Sequence, residues 1–209
     1  EANVFIEQRD LNERDWTNKT RSLVGESVDF RLSATSPRDI GDYSHFSLSK
    51  KLDKAMKYDN SIVKVYTSNP SISLIADQDY ILREPRSDNK NTLELSLRES
   101  GIAKLNPGDI LYVEFSEEVG ANALGHGPIS NKAIVSWNNK KGSIGSKESE
   151  ASLTSPKEGT LTISKVASHD SSVFLEGASF KLQRKNELND WSDISGSIKS
   201  TGSTGKLIW

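Results

Sequence analysis

Along most of the chain, short runs of alternating apolar and polar residues are broken by Gly, Pro, Asn, Asp or Ser. A period of two places one face of each run in a core and the other in solvent, as in half-buried β-strands. Strands are predicted over residues 4–8, 27–35, 61–67, 92–97, 110–116 and 132–137, and again over 160–166, 179–184 and 206–209. Helical periodicity is scarce. Residues 51–58 and 98–105 are each predicted to form a turn or two of helix. Asn106-Pro107-Gly108-Asp109 reads as a turn, because Pro fixes φ and Gly tolerates the left-handed region. Strands following strands, without a crossover helix between them, indicate an antiparallel sandwich.

Residues 138–159 break the pattern. They are rich in Ser, Gly, Lys and Glu, almost lack large apolar side chains, and read as a linker or a long exposed loop. The predicted organisation is therefore a β-sandwich domain over 1–138, a linker over 139–158, and the N-terminal part of a second domain over 159–209. The closing run GKLIW has nothing after it to pair with, so a longer natural chain is expected.

Composition narrows the function. The 209 residues are 34% hydrophobic and 27% charged, enough apolar material for a packed interior. A net charge of -2 gives no basic excess to track phosphates or anionic lipid, so nucleic acid and membrane surfaces are not expected partners. There is no cysteine, which removes disulfides, thiolate nucleophiles and Cys-ligated metals. No apolar run approaches the roughly 20 residues of a membrane helix, and EANVFIEQ is not a signal peptide. His45, His126 and His169 lie far apart in sequence, so no metal or other cofactor is expected. The acidic pair Glu117-Glu118 and the residues Asp77 and Asp79 lack calcium-loop spacing and read as solvated edge charges. Trp137, Trp191 and Trp209 are expected in packing contacts. No catalytic arrangement is evident, and the chain is not expected to be an enzyme.

The stretch GTLTISKVASHDSSVFLEGASFKLQRK, with a later TGSTGKLIW, resembles the opening of a Cna-B type domain of Gram-positive pilins and adhesins. The phrases LVGESVDFRLSATSP, HFSLSKKLDKAMKY, DQDYIL, LNPGDILYVEFSEEV and ISNKAIVSW resemble, in order, the preceding shaft domain of sortase-assembled pilin backbone subunits. The resemblance implies two immunoglobulin-like β-sandwich domains in tandem, the second truncated. It also implies self-made Lys–Asn isopeptide bonds: a buried, deprotonated lysine attacks an asparagine carboxamide polarised by a protonated acid, and ammonia leaves. By analogy with a disulfide, such a staple is worth roughly 4–5 kcal/mol, which suits a cysteine-free extracellular protein.

Carried over residue by residue, the resemblance gives Lys165 the reactive-lysine position of the second domain, with its partners beyond Trp209. In the first domain Asn131 matches the acceptor asparagine. Glu7 and Gln8 stand where a lysine is expected, and Lys50 stands where the catalytic aspartate sits. The usual bond is therefore not expected there, and a Glu7–Lys50 ion pair is expected in its place. The implied function is a structural pilus subunit on the cell surface, anchored to the cell wall and joined to other pilin subunits by sortase. Without a Tyr-Pro-Lys type motif, Lys140, Lys141 and Lys157 stand as candidate linking lysines. The alternative is an adhesin or accessory pilin that binds a host matrix protein or glycoprotein.

Overall fold

A computed structural model describes residues 2–10, 13–60, 62–124, 127–155, 160–185 and 190–209. The chain divides into two compact units, Glu1–Pro156 and Lys157–Trp209. The first contains β1 (Asn3–Asp10), β2 (Lys19–Arg21), β3 (Ser27–Thr35), β4 (Tyr43–Lys51), β5 (Met56–Tyr58), β6 (Lys64–Thr67), β7 (Tyr80–Arg83) and β8 (Thr92–Leu97). Helix α1 (Glu99–Lys104) follows, then β9 (Ile110–Val119), β10 (Ile129–Asn139) and β11 (Ile144–Thr154).

These strands make two sheets. One runs β1-β3-β9-β5, with β6 also on β9; the other runs β2-β11-β10-β4-β8-β7. Every ladder is antiparallel except β2 on β11. Alternation decides which side chains turn inward. Phe30 and Leu32 on β3, Val113 and Phe115 on β9, Phe46 and Leu48 on β4, and Leu93 and Leu95 on β8 are all buried in one core. Each such side chain contributes about 1.5–3 kcal/mol by leaving water.

Two expectations fail for the same reason: backbone pairing outweighs local composition. Residues 51–58 make no helix. Asp53 caps a tight turn through Ala55 N, and β5 then pairs with β9 and sends Met56 into the core. The expected linker is also wrong. β10 extends to Asn139, the chain turns through Gly142 (φ +88°), and β11 pairs with β10 from Asn138↔Ile144 to Ile129↔Leu153. Of the residues in β11 only Ala151 and Leu153 are buried, so this strand carries almost no apolar signal and is held chiefly by its ladder. Near its start Trp137 lies across Gly145, where a Cβ would fall 2.4 Å from the indole ring. The first unit therefore takes in most of the segment read as a linker. The helix expected over 98–105 is present as α1.

The second unit contains β12 (Thr162–Ser164), β13 (Ser179–Phe180), β14 (Gln183–Lys185), β15 (Trp191–Asp193), β16 (Lys199–Ser200) and β17 (Lys206–Ile208). They form three two-stranded ladders, β12-β17, β13-β16 and β14-β15. Among its described large apolar residues only Leu207 is buried, while Phe174, Trp191, Ile198 and Ile208 are exposed.

Candidate functional site

Four inward positions of the first unit carry polar side chains where alternation calls for apolar ones. Gln8 follows Val4 and Ile6 on β1, and Lys50 follows Phe46 and Leu48 on β4. Glu117 lies between Phe115 and Val119 on β9, and Asn131 between Ile129 and Ala133 on β10. All four are at most 1% exposed. Pairing brings them together. Gln8, Phe30 and Phe115 form one row across the first sheet, and Glu117 is the next inward residue along β9. Lys50 opposes Ala133 in the second sheet, which places Asn131 one inward step away on β10.

The Lys50 ammonium meets Glu117 Oε1 at 2.6 Å, an ion pair that ties the two sheets together. It also lies 4.4 Å from the centre of the Phe30 ring and 6.0 Å from that of Phe115, which stack on each other at 5.6 Å. The negative faces of the rings supply part of the solvation the cation lost on burial. Burial pushes the Glu117 carboxyl up, and Lys50 opposes that shift. Beside the pair, Asn131 Nδ2 donates to Gln8 Oε1 at 3.4 Å, and Gln8 Nε2 donates to the Ser152 carbonyl of β11 at 2.6 Å. Glu117 Oε2 and Asn131 Oδ1 have no hydrogen-bond partner among the described residues.

The sequence-derived candidates are thus partly assembled. Gln8, Lys50 and Asn131 share one interior site, but Glu7 turns outward and pairs with Arg31 at 2.8 Å. The expected Glu7–Lys50 pair is not formed, because neighbours on a strand face opposite sides and only Gln8 is in phase with the core. Glu117 takes the role given to Glu7. The sequence, which shows no calcium-loop spacing there, reads as a pair of solvated edge charges, yet Glu117 is buried and only Glu118 is partly exposed, on Lys57 at 2.9 Å. The phase of Glu117 with Leu111, Val113 and Phe115 was the available signal.

Asp79 was misread in the same way. It is fully buried, accepts from Ile75 N, and pairs with Lys104 of α1 at 2.5 Å. The hydrogen bond from Lys104 holds its carboxyl below the usual range. A depressed acid stabilises the fold above its unfolded pKa and loses that contribution as pH falls through the folded value. Asp79→Asn is therefore expected to cost about 1–3 kcal/mol at neutral pH. Urea melts of both proteins should show the gap persisting to about pH 4 and closing below it.

The other candidates are dispersed. Lys165 is exposed next to β12, held by its backbone to Gly205 and Leu175. Lys141 pairs with Asp42, Lys140 reaches the Gly41 carbonyl, and Lys157 and His126 lie outside the described residues. His45 contacts Ser47 at 3.1 Å, and His169 is exposed. Trp137 packs on the core and the Trp209 indole donates to the Ser197 carbonyl, whereas Trp191 is 61% exposed beside Lys185.

No protein-family model and no curated protein sequence matches the chain. Solved structures do. A variant of BcpA, the major pilin subunit of Bacillus cereus, superposes with TM-score 0.69 at 16% identity, over 100% of this chain and 55% of that one. The 35 kDa C-terminal fragment of the major pilin GBS80 of Streptococcus agalactiae gives 0.66 at 16%, over 100% and 78%. Full-length SpaD, a major pilin of Corynebacterium diphtheriae, gives 0.64 at 18%, over 100% and 50%. The chain thus spans about half the length of the BcpA and SpaD chains. At these identities the likeness establishes the fold, an all-β arrangement of immunoglobulin-like sandwich type.

Proposed function

We propose that this chain is a load-bearing segment of a cell-surface pilus subunit, whose first unit is fastened by a buried ion pair instead of an isopeptide bond. The observation that carries this reading is the Lys50–Glu117 contact at 2.6 Å. It joins the two sheets beside Gln8 and Asn131, two of the positions where the pilin resemblance places reactive residues. The fold shared with three major pilins supports it. On this reading sortase joins the parent protein to other pilin subunits at the cell wall. Lys165 is then the lysine that forms a Lys–Asn bond in the second unit.

Two readouts test it. An antibody against this chain should reveal a ladder of high-mass species in denatured cell-wall extract, and the purified 209-residue chain should have its full sequence mass. A single monomeric band would overturn the shaft role. A mass deficit of one ammonia would overturn the non-covalent fastening. The second reading, an adhesin or accessory pilin for a host matrix protein or glycoprotein, is favoured by one feature, an aromatic groove on the outer face of the first sheet.

A further inference from the structure

In the first unit, residues 16–22 cross from the edge of one sheet to the edge of the other. β1 is an edge strand of the first sheet, and β11 would be one of the second without β2. On β1, Gln8 exchanges both backbone hydrogen bonds with Thr17, at 2.7 and 3.0 Å. On β11, the Ser152 N–H donates to the Asn18 carbonyl at 2.8 Å, and the Thr154 carbonyl accepts from the Ser22 N–H at 3.3 Å, with β2 paired alongside. One short segment thus takes up backbone groups that both edges would otherwise leave open. Trp16 is the only large apolar side chain in it. Two guanidiniums lie over the Trp16 ring, that of Arg9 on β1 at 4.5 Å and that of Arg31 on β3 at 4.6 Å from its centre. Each is fixed by a carboxylate. Arg9 meets Asp29 at 2.9 Å, and Asp29 in turn accepts from Ser116 of β9 at 2.8 Å. Glu7 holds Arg31 through Nε and Nη2, at 3.0 and 2.8 Å. The ring held in this way is one wall of the groove that Phe5 and Tyr112 also line.

We infer that residues 16–22 form a clasp, which guards the edges of both sheets, is locked by the two arginines on Trp16, and opens without unfolding the sandwich. Its side chains explain why it can open alone. Trp16 and Thr17 are half-buried, Asn18, Lys19 and Arg21 are exposed, and the buried Thr20 and Ser22 are polar. The core is built instead from Phe30, Leu32, Phe46, Leu48, Val113 and Phe115. A segment that buries little apolar surface opens at far lower cost than the fold it covers. The lock is electrostatic. An indole ring attracts a fixed cation more strongly than the other aromatic rings do. Both arginine–carboxylate pairs are partly exposed, so dissolved salt screens the charges that set the lock. An open clasp bares the Gln8, Ser152 and Thr154 backbone groups on two edges, where an extended strand of a second copy can pair.

The test is residue-resolved hydrogen exchange of the whole chain. Trp16→Ala is expected to speed exchange of the Gln8, Thr17 and Ser152 amides about tenfold, while the amides of β3 and β9 stay within about twofold of the parent. Trp16→Phe restores a ring face and should recover most of that protection. In roughly 1 M NaCl the same amides should exchange several-fold faster in the parent and change little in Trp16→Ala. Arg9→Gln removes one of the two cations and keeps the ring. It should give a several-fold effect at the same amides, and it decides the matter if Trp16→Ala does not fold. Sedimentation velocity should show Trp16→Ala associating with rising concentration more than the parent does. Faster exchange spread evenly over β3 and β9, unchanged exchange at Gln8, Thr17 and Ser152, indifference of the parent to salt, or no added self-association would each overturn the proposal.

Discussion

Lys50→Met is expected to destabilise the first unit by about 3–5 kcal/mol, because it leaves the Glu117 carboxylate buried without a counter-ion. Glu117→Leu should cost a similar amount by stranding the ammonium. The informative protein is the double variant, Lys50→Met with Glu117→Leu. Replacing both charges with side chains of similar volume removes two desolvation penalties together with one attraction. Such exchanges are commonly neutral or stabilising by roughly 1–4 kcal/mol. Calorimetry should therefore show each single variant melting on the order of 10 °C below the parent, and the double variant at or above it. Additive losses in the double variant would mean that the two residues contribute through separate packing and not through each other.

Phe30→Ala is expected to be nearly as damaging. The ring is fully buried, stacks on Phe115 and supports the Lys50 ammonium at 4.4 Å. Truncating a buried Phe costs about 3–5 kcal/mol through lost burial and the cavity left behind. Phe30→Leu separates the two roles, since it refills most of the volume but removes the ring face. Its remaining deficit should be about 1–2 kcal/mol in the parent and should shrink when Lys50 and Glu117 are already Met and Leu. A deficit of the same size in both backgrounds would show that the ring acts by volume alone. Chemical denaturation of the four proteins supplies the comparison.

The sequence disclosed as much as its alternation disclosed. Strand β3, with Val28, Phe30, Leu32 and Ala34 all inward, was legible to the residue. Strand β11 was not, because a ladder needs only backbone N–H and C=O groups, and Ser, Lys and Glu supply those without an apolar signature. Strand β4 was missed altogether: its inward run of Phe46 and Leu48 passes straight into Lys50, which leaves too short an apolar alternation to mark a strand. At the site, position was legible and partnership was not. Gln8, Lys50 and Asn131 could be singled out, but the counter-ion of Lys50 was assigned to Glu7 on β1 when the register supplies Glu117 on β9. That error came from sequence proximity to the expected lysine position. Counting phase along 110–119 would have corrected it.

The first and last strands of the first unit advance in the same direction. Asn3 lies beside Lys147 at 3.3 Å, and Gln8 beside Ser152 at 2.6 Å. The backbone therefore enters this unit at one end of the sandwich and leaves it at the other. Tension along the chain would pull β1 and β11 lengthwise against their neighbours, so that all eight residue pairs of β1 with β3 must slip together and cannot peel apart one by one. Rupture under force is governed by the unfolding barrier and not by equilibrium stability. In that geometry the Gln8 bond to β11 works as a crosswise latch, shearing only when the sandwich as a whole gives way.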